Sequence, residues 1–182
     1  MKNKIFLLAV LLGVAIFSYA QTEKTWVCIP CGNNCDGQIL KGPGKCDGCG
    51  MKLVEKSTIH YNELTYEEFC QRIAAHPDAL ILDVRSQAEF KGTTQDIPSF
   101  GHFKNAVNIN ITELEGRINE LAAYKDKEIL VYCSHSHRSP QASYLLGING
   151  FKSVSNLSGG VSTFNGKNND KWLMKSFVFH SH

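Results

Sequence analysis

Residues 128–140 read EILVYCSHSHRSP, and this stretch is the strongest indication of the fold. Glu128 to Tyr132 is mostly apolar, which predicts a strand that is buried on both faces. Ser139 suits the N-cap of a helix, and Pro140 suits its first position, where the missing N–H costs nothing. Cys133 therefore lies on a short loop between a strand and a helix, which is typical of an α/β protein.

The loop that follows this strand has the chemistry of an anion site. Its backbone N–H groups and the positive end of the next helix both favour a negative charge. This field favours the thiolate of Cys133, which is the nucleophilic form of cysteine. Arg138 closes the loop, where it either offsets the charge of a bound anion or serves only as a structural clamp. We predict Cys133 and Arg138 as catalytic residues and five neighbours as the substrate site: Ser134, His135, Ser136, His137 and Ser139.

Short apolar runs alternate with helix signals over the middle of the chain. Runs at residues 80–82 and 106–109 predict strands, and a weaker run covers 154–157. Three capping boxes predict helix starts: Thr65 with Glu68, Ser86 with Glu89, and Thr112 with Glu115. This alternation predicts a parallel sheet with helices on both sides. Ligands bind such sheets at the carboxyl ends of the strands, which is where Cys133 lies.

Four motifs resemble those of the rhodanese family of single-domain sulfurtransferases. They are LDVR with EF at 82–90, GHFKNAVNI at 101–109, YCSHSHRS at 132–139 and LSGG at 157–160. The resemblance implies a rhodanese-like α/β fold and a Cys133 persulfide that carries sulfur from a small anionic donor, such as thiosulfate, to a thiol or cyanide acceptor. It also implies that Asp83 and Arg85 are an ion pair that supports the site.

Two departures from the family pattern are a substitution in the loop and an extra stretch, at about residues 92–100, that lengthens the connection before Gly101. Ser136 replaces a glycine that is usual in the family, which is costly if the position requires a positive φ. Related phosphatases have five residues between cysteine and arginine, whereas four separate Cys133 from Arg138. A tetrahedral phosphate should not fit fully into the smaller loop, so a phosphatase is not expected. His135 and His137 are either incidental, or they add positive charge below about pH 6.5, or they bind a soft metal beside Cys133.

A cysteine-rich segment, residues 26–55, precedes the rhodanese-like region. Two CxxC pairs, Cys28 with Cys31 and Cys46 with Cys49, have the spacing of a structural zinc site. Residues 43–53 also resemble the PGKCxxCGMxL pattern of a small heavy-metal-binding domain. We expect zinc or a similar soft ion to have a structural role, and sulfur transfer to need no cofactor. Disulfides or a redox-active pair are the alternatives, and Cys35 is a fifth ligand or a free thiol.

The ends of the chain suggest export. Residues 1–20 carry two lysines, an apolar run and small residues at a cleavage position, as a signal peptide does. An uncleaved membrane anchor is the alternative. We therefore divide the chain into a signal peptide at 1–20, a metal-binding module at 26–55, a rhodanese-like domain at 57–170 and a C-terminal tail at 171–182. The mature protein is expected in the periplasm or outside the cell, without stable membrane insertion.

The overall charge helps to choose between classes of partner. A formal net charge of +2 without a basic stripe gives no reason to expect a nucleic acid. The function expected from these observations is a sulfurtransferase. A persulfide carrier loaded by other proteins and a non-catalytic metal- or partner-binding module of the cell envelope are the alternatives.

Overall fold

The computed structural model describes residues 23–95, 97–164 and 170–180. The predicted export signal at residues 1–20 lies outside these ranges. Within them, no helix is both long enough and apolar enough to cross a membrane.

The cysteine-rich segment folds around a small antiparallel sheet. Its strands are β1, Trp26–Val27; β2, Ile39–Leu40; and β3, Val54–Glu55. Strand β1 lies in the middle and pairs with both of the others. Leu53 and three of the cysteines are buried together beside this sheet. A core of this size needs a further cross-link to be stable.

A five-stranded parallel sheet forms the centre of the rest of the protein. Its members in chain order are β4, Asn62–Leu64; β5, Leu80–Asp83; β7, Val107–Asn108; β8, Glu128–Tyr132; and β9, Ser153–Leu157. The spatial order is β4-β9-β8-β5-β7, and every neighbouring pair is parallel. Strands β5 and β8 are buried along their whole length. The prediction of a parallel sheet is confirmed, whereas the expected burial of the run at 106–109 is wrong, because Val107 of β7 is exposed.

Helices cover both faces of this sheet. They are α1, Tyr66–Ala75; α2, Gln87–Lys91; α3, Ile111–Arg117; α4, Ser139–Ile148; and α5, Lys171–Ser176, with 3₁₀ turns at Lys56–Thr58, Ile118–Tyr124 and Val161–Phe164. Leu114 of α3 and Leu146 of α4 pack on one face. Phe69 of α1 and Leu173 of α5 pack on the other. The predicted α/β layer arrangement is therefore the observed one.

Two of the three predicted capping boxes are confirmed. Thr65 with Glu68 caps α1, and Ser86 with Glu89 caps α2. The third box is wrong, because α3 begins after Asn110, whose side chain accepts the N–H of Thr112 at 3.1 Å. Asparagine is as good an N-cap as serine or threonine, so the helix starts earlier than the predicted box.

The C-terminal segment packs against the domain. Strand β10, Phe177–Phe179, pairs antiparallel with β6, Gly101–Phe103. Phe177 is buried in the same cluster as Phe103 and Phe164. Residues 171–180, within the segment predicted as a tail, are thus helix and strand that close one side of the core.

Candidate active site

Cys133 lies at the carboxyl end of β8, where the chain leaves the sheet, and its side chain is buried. The backbone N–H groups of His135, Arg138 and Ser139 are hydrogen-bonded to its sulfur. The hydroxyl of Ser139 also donates to the sulfur, at 3.3 Å. Helix α4 begins at Ser139 itself, so its N-cap is Arg138 and not Ser139 as predicted, and no side chain caps it.

The surroundings of Cys133 stabilise its thiolate. Burial is the largest single influence and by itself raises the pKa of the thiol. The hydrogen bonds from the Ser139 hydroxyl and from the three backbone N–H groups outweigh burial, so the pKa of Cys133 lies below its ordinary value. A buried cysteine in apolar surroundings would have a raised pKa and would be inert. The sulfur of Cys133 is therefore placed for nucleophilic chemistry.

Arg138 is held by Glu89, a residue for which the sequence indicates only a helix cap. The guanidinium donates to both carboxylate oxygens of Glu89, each at 2.7 Å. Ser134 donates its hydroxyl to the same carboxylate at 2.9 Å. Another hydrogen bond joins Glu89 to the backbone N–H of Ser86 at 3.0 Å, which caps α2. One buried carboxylate thus fixes both the start of α2 and the loop after Cys133.

Replacing Glu89 by glutamine should destabilise the protein in a pH-dependent way. Arg138 and the Ser86 N–H help to lower the pKa of Glu89 from 4.5 to about 2, although burial alone would raise it. The stabilisation is therefore complete above about pH 4.5 and is lost as the pH falls through about 2. We expect Glu89→Gln to lower the free energy of unfolding by about 2 kcal/mol at pH 7. Urea titrations of both proteins at pH 7 and at low pH should show this difference shrinking on acidification.

Glu113→Gln is the matched control, because Glu113 also binds an arginine, Arg117, but on the exposed surface. Exposed ion pairs of this kind contribute about 0.5 kcal/mol or less to the free energy of unfolding. A Glu89 variant that loses no more stability than the Glu113 variant would contradict the role assigned to Glu89.

Asp83 and Arg85 form a fully buried ion pair beside the site. The guanidinium of Arg85 donates to both carboxylate oxygens of Asp83, at 2.6 to 3.1 Å. It also donates to the carbonyl oxygens of Ser99 and Gly101, at 2.6 and 2.7 Å. The pair therefore connects the end of β5 to the segment that leads into β6. Neither side chain hydrogen-bonds to the sulfur of Cys133, which agrees with a supporting role.

The loop backbone bends sharply at Ser136 and is held there by side chains. Ser136 has a φ of 58°, the left-handed conformation that usually requires glycine. Its hydroxyl accepts a hydrogen bond from the amide of Asn156 at 2.8 Å, and the same amide donates to Glu63 at 2.7 Å. These contacts offset part of the strain that the missing glycine causes. Asn156 lies on β9, the strand next to β8, and Glu63 lies on β4 at the edge of the sheet beyond it.

His135 and His137 lie at the outer side of the loop. The ring of His135 packs edge-on against Phe100, with centroids 5.4 Å apart, and it lies 6.1 Å from the ring of His137. Burial, followed by the charges of His137 and Arg138, lowers the pKa of His135. Protonation of His135 therefore needs a lower pH than the value near 6.5 assumed from the sequence. His137 lies against Gly32 of the cysteine-rich segment, where any side chain would overlap its ring.

The cysteine-rich segment brings five thiols together. The sulfur atoms of four of them, Cys28, Cys31, Cys35 and Cys49, all lie within 4.8 Å of one another. The side chain of Cys46 is hydrogen-bonded to Cys28 and Cys35. All are free thiols in this structure. An all-sulfur donor set suits soft ions, so the cluster could hold a metal.

The structure gathers the predicted loop residues in one place and adds others. Ser134, His135, Ser136, His137, Arg138 and Ser139 all belong to the loop or to the first turn of α4 beside Cys133. Glu89, Phe100 and Asn156 were not predicted, although each contacts a loop side chain. The one sequence signal for Glu89 was its place in a capping box. The predicted metal ligands lie in the separate cysteine cluster.

Comparison with known proteins assigns this chain to a family. Residues 65–167, more than half of the chain, match the model described as the rhodanese-like domain. A tRNA uridine(34) hydroxylase of Wigglesworthia glossinidia brevipalpis is 36% identical over 143 residues, covering 72% of this chain and 42% of the relative. Another, from Escherichia coli O6:K15:H31, is 32% identical over 112 residues, covering 57% and 30%. The chain thus spans less than half of these two hydroxylases.

Two further matches are a curated protein of unassigned activity and a solved structure. The Bacillus subtilis protein YqhL, which is named as uncharacterized, is 38% identical over 104 residues, covering 57% of this chain and 72% of the relative. The crystal structure of reduced Bacillus anthracis CoADR-RHD matches with a TM-score of 0.50 and 25% identity, covering 66% of this chain and 18% of the other. The predicted domain type and its parallel sheet are confirmed by these similarities.

The same relatives correct the predicted function. The two hydroxylases described above are named for the hydroxylation of a uridine of tRNA and not for the transfer of sulfur. The prediction of a thiosulfate sulfurtransferase is therefore wrong. The alternative in the same prediction, a non-catalytic module, is also wrong, because the domain and these relatives indicate an enzyme.

Proposed function

The chain belongs to the rhodanese-like domain family, and we propose that it is an enzyme that acts by covalent catalysis with the Cys133 thiolate as nucleophile. The observation that carries this proposal is the set of hydrogen bonds around a buried sulfur. Burying an anion is costly unless donors surround it. Four donors aimed at one cysteine are not needed for packing, and perturbed groups of this kind concentrate at functional sites.

The roles of the residues follow from their contacts. Cys133 attacks an electrophilic atom of the substrate, and the displaced group leaves with its electron pair. The N–H groups of His135, Arg138 and Ser139 hold the negative charge of the sulfur before attack. Glu89 clamps the side chain of Arg138, so this arginine positions the loop, and its charge is already compensated. Water or a second nucleophile then releases the product from Cys133.

The size of the site favours a small substrate. Cys133 is only 1% exposed, so the reacting atom must enter a narrow opening. The outer side of the loop is bordered by the rings of Phe100, His135 and His137. A compact electrophile meets these conditions better than a bulky one.

Uridine chemistry is a second candidate, favoured by the 36% identity with a tRNA uridine(34) hydroxylase over 143 residues. The uracil ring has an electrophilic carbon, C6, to which a thiolate can add. The chain has a net charge of only +2, which offers little attraction for a polyanion. Incubation with an anticodon stem-loop that contains 5-fluorouridine, followed by a denaturing gel, would detect a covalent complex. A complex that depends on Cys133 would favour this candidate over a small substrate.

The predicted export signal and metal remain part of the proposal. A cleaved signal at residues 1–20 would place the mature enzyme outside the cytoplasm, where tRNA is not available as a substrate. The cysteine-rich segment would hold zinc or a similar soft ion in a structural role, as two neighbouring CxxC pairs commonly do. The contacts of Cys133 involve no residue of that cluster. The ion would therefore stabilise the segment without joining the reaction.

The reactivity of Cys133 tests the main proposal. We expect iodoacetamide to modify Cys133 in the folded protein, with a rate that rises with pH around a pKa below the ordinary 9.0 of a cysteine. Ser139→Ala removes the side-chain donor and should slow the reaction at pH 7 by about tenfold, because hydrogen bonds to charged groups are worth about 1.5–3 kcal/mol. Peptide mass mapping measures the modification at each cysteine.

Ser143→Ala is the matched control for this experiment. Ser143 is buried in the same helix, and its hydroxyl has no hydrogen-bond partner among the described residues. The control should react at the wild-type rate. Modification of Cys133 that requires denaturant, or a Ser139 variant that reacts as fast as wild type, would count against a stabilised nucleophile.

A further inference from the structure

Cys35 stands outside both CxxC pairs, yet its sulfur lies among those of Cys28, Cys31 and Cys49. We propose that these four cysteines are the ligands of a tetrahedral site for a soft divalent ion, Zn²⁺ or Cd²⁺, and that Cys46 is a fifth thiol beside it. The proposal deepens, and rests on, the proposed metal role of the cysteine-rich segment. It replaces Cys46 by Cys35 in the ligand set that the CxxC spacing predicts.

The sulfur–sulfur distances suit a single ion. Four thiolates about 2.3 Å from a tetrahedral zinc are separated from one another by about 3.8 Å. The sulfur of Cys35 lies 3.8 Å from that of Cys31. The sulfur of Cys49 lies 3.3 Å from that of Cys28, so this pair needs to open by only a few tenths of an ångström. Cys35 therefore already lies at ligand distance from its neighbour.

A tight turn holds Cys35 in this position. The carboxylate of Asp36 accepts the N–H groups of Cys31 and Gly32, at 2.8 and 2.9 Å. The N–H of Asp36 donates in turn to the carbonyl of Asn33 at 3.0 Å. These bonds fold residues 31–36 back on themselves, so that Cys35 faces Cys31. The side-chain amide of Asn33 also donates to the sulfur of Cys31 at 3.4 Å, as donors around thiolate ligands do.

The space around Cys35 is kept free by a glycine. A Cβ atom on Gly48 would come within 2.9 Å of the Cβ of Cys35 and 3.2 Å of its sulfur. Gly48 lies between Cys46 and Cys49, so the second CxxC pair can close over Cys35 only because this position has no side chain. Cys35 is itself 3% exposed. The four sulfur atoms lie so close together that, as thiolates, they would repel one another. A cation bound between them would remove this repulsion.

Comparison of two single variants tests the choice of ligand. The full-length reduced protein, freed of metal, is titrated with Cd²⁺ against a competing chelator, and bound metal is counted by native mass spectrometry. We expect Cys35→Ser to weaken Cd²⁺ binding by about 100-fold or more, because it removes one of four ligands. Cys46→Ser should weaken it less, by about tenfold, which is the low end of the range for a group next to the ligands.

Gly48→Ala keeps every thiol but displaces Cys35, so it should weaken Cd²⁺ binding in the same direction as Cys35→Ser. Gly42→Ala is its control, because a Cβ atom there meets nothing within 4 Å. Larger loss in the Cys46 variant than in the Cys35 variant, or equal losses, would overturn the ligand set proposed here. A wild-type protein that binds no Cd²⁺ would overturn the metal role itself. The iodoacetamide reaction of Cys133, measured in each variant, reports that the rest of the protein is folded.

Discussion

Replacing Arg85 by methionine should lower the free energy of unfolding by about 3–5 kcal/mol, which is a large part of the stability of a domain of this size. Arg85 and Asp83 are both fully buried. Methionine fills part of the volume but offers no donor, so the carboxylate of Asp83 would lose three hydrogen bonds from the guanidinium. The carbonyl oxygens of Ser99 and Gly101 would lose their donor as well. Urea unfolding, followed by circular dichroism, measures the effect.

The double variant Asp83→Leu with Arg85→Met separates the value of the pair from the cost of breaking it. Replacing a whole buried pair by apolar residues is often neutral, whereas removing one partner leaves a buried charge. The double variant should therefore be more stable than Arg85→Met alone. Arg117→Met, at an exposed ion pair, is the surface control and should cost about 1 kcal/mol or less. An Arg85 variant as stable as this control would show that the buried pair is dispensable.

The second large effect is expected at Gly160, in the turn that follows β9. Gly160 has a φ of 66°, and a Cβ atom there would lie 2.5 Å from the backbone of Cys133 and Ser134. The residues after it hold the loop, since the N–H groups of Val161 and Ser162 donate to the carbonyls of Cys133 and Ser134, both at 2.9 Å. Because of the backbone strain and this clash, we expect Gly160→Ala to lower the free energy of unfolding by about 3 kcal/mol. It should also slow the iodoacetamide reaction of Cys133, because the loop must move.

Gly150→Ala isolates the clash from the strain. Gly150 has a comparable φ of 84°, but a Cβ atom there meets nothing within 4 Å. Gly150→Ala should therefore lower the free energy of unfolding only by the backbone strain, about 1–2 kcal/mol. It should leave the reactivity of Cys133 unchanged. If the Gly160 and Gly150 variants lose the same stability and react alike, the packing of the turn against the loop is not what requires glycine at position 160.

The features that could be predicted from the sequence are those determined by neighbouring residues. The strand before Cys133, the loop and the start of α4 depend on a short apolar run, a cysteine and a Ser-Pro pair, all within 13 residues. Two capping boxes were found for the same reason, because their partners are three residues apart. Local periodicity and capping therefore predicted the sheet and the position of Cys133 at the end of a strand.

The features that could not be predicted depend on distant partners. Glu89 and Arg138 are 49 residues apart, and nothing local distinguishes an acid that only caps a helix from one that also clamps a loop. The pairing of β6 with β10 joins two short segments without a clear alternating pattern. The CxxC spacing favours Cys46, whereas the turn closed by Asp36 brings Cys35 among the other sulfurs. The reaction could not be predicted from the fold either, because chains that share a fold can catalyse different reactions.

The contact between Gly32 and His137 has a consequence for how this sequence can change over evolution. Gly32 follows a cysteine of the thiol cluster, and His137 precedes the arginine of the loop, so the contact joins the two parts of the chain. Any side chain at position 32 would overlap the imidazole ring. A substitution there is compatible with the same packing only if position 137 becomes smaller. In an alignment of homologues that contain both parts, positions 32 and 137 should therefore covary, as residues in direct contact do.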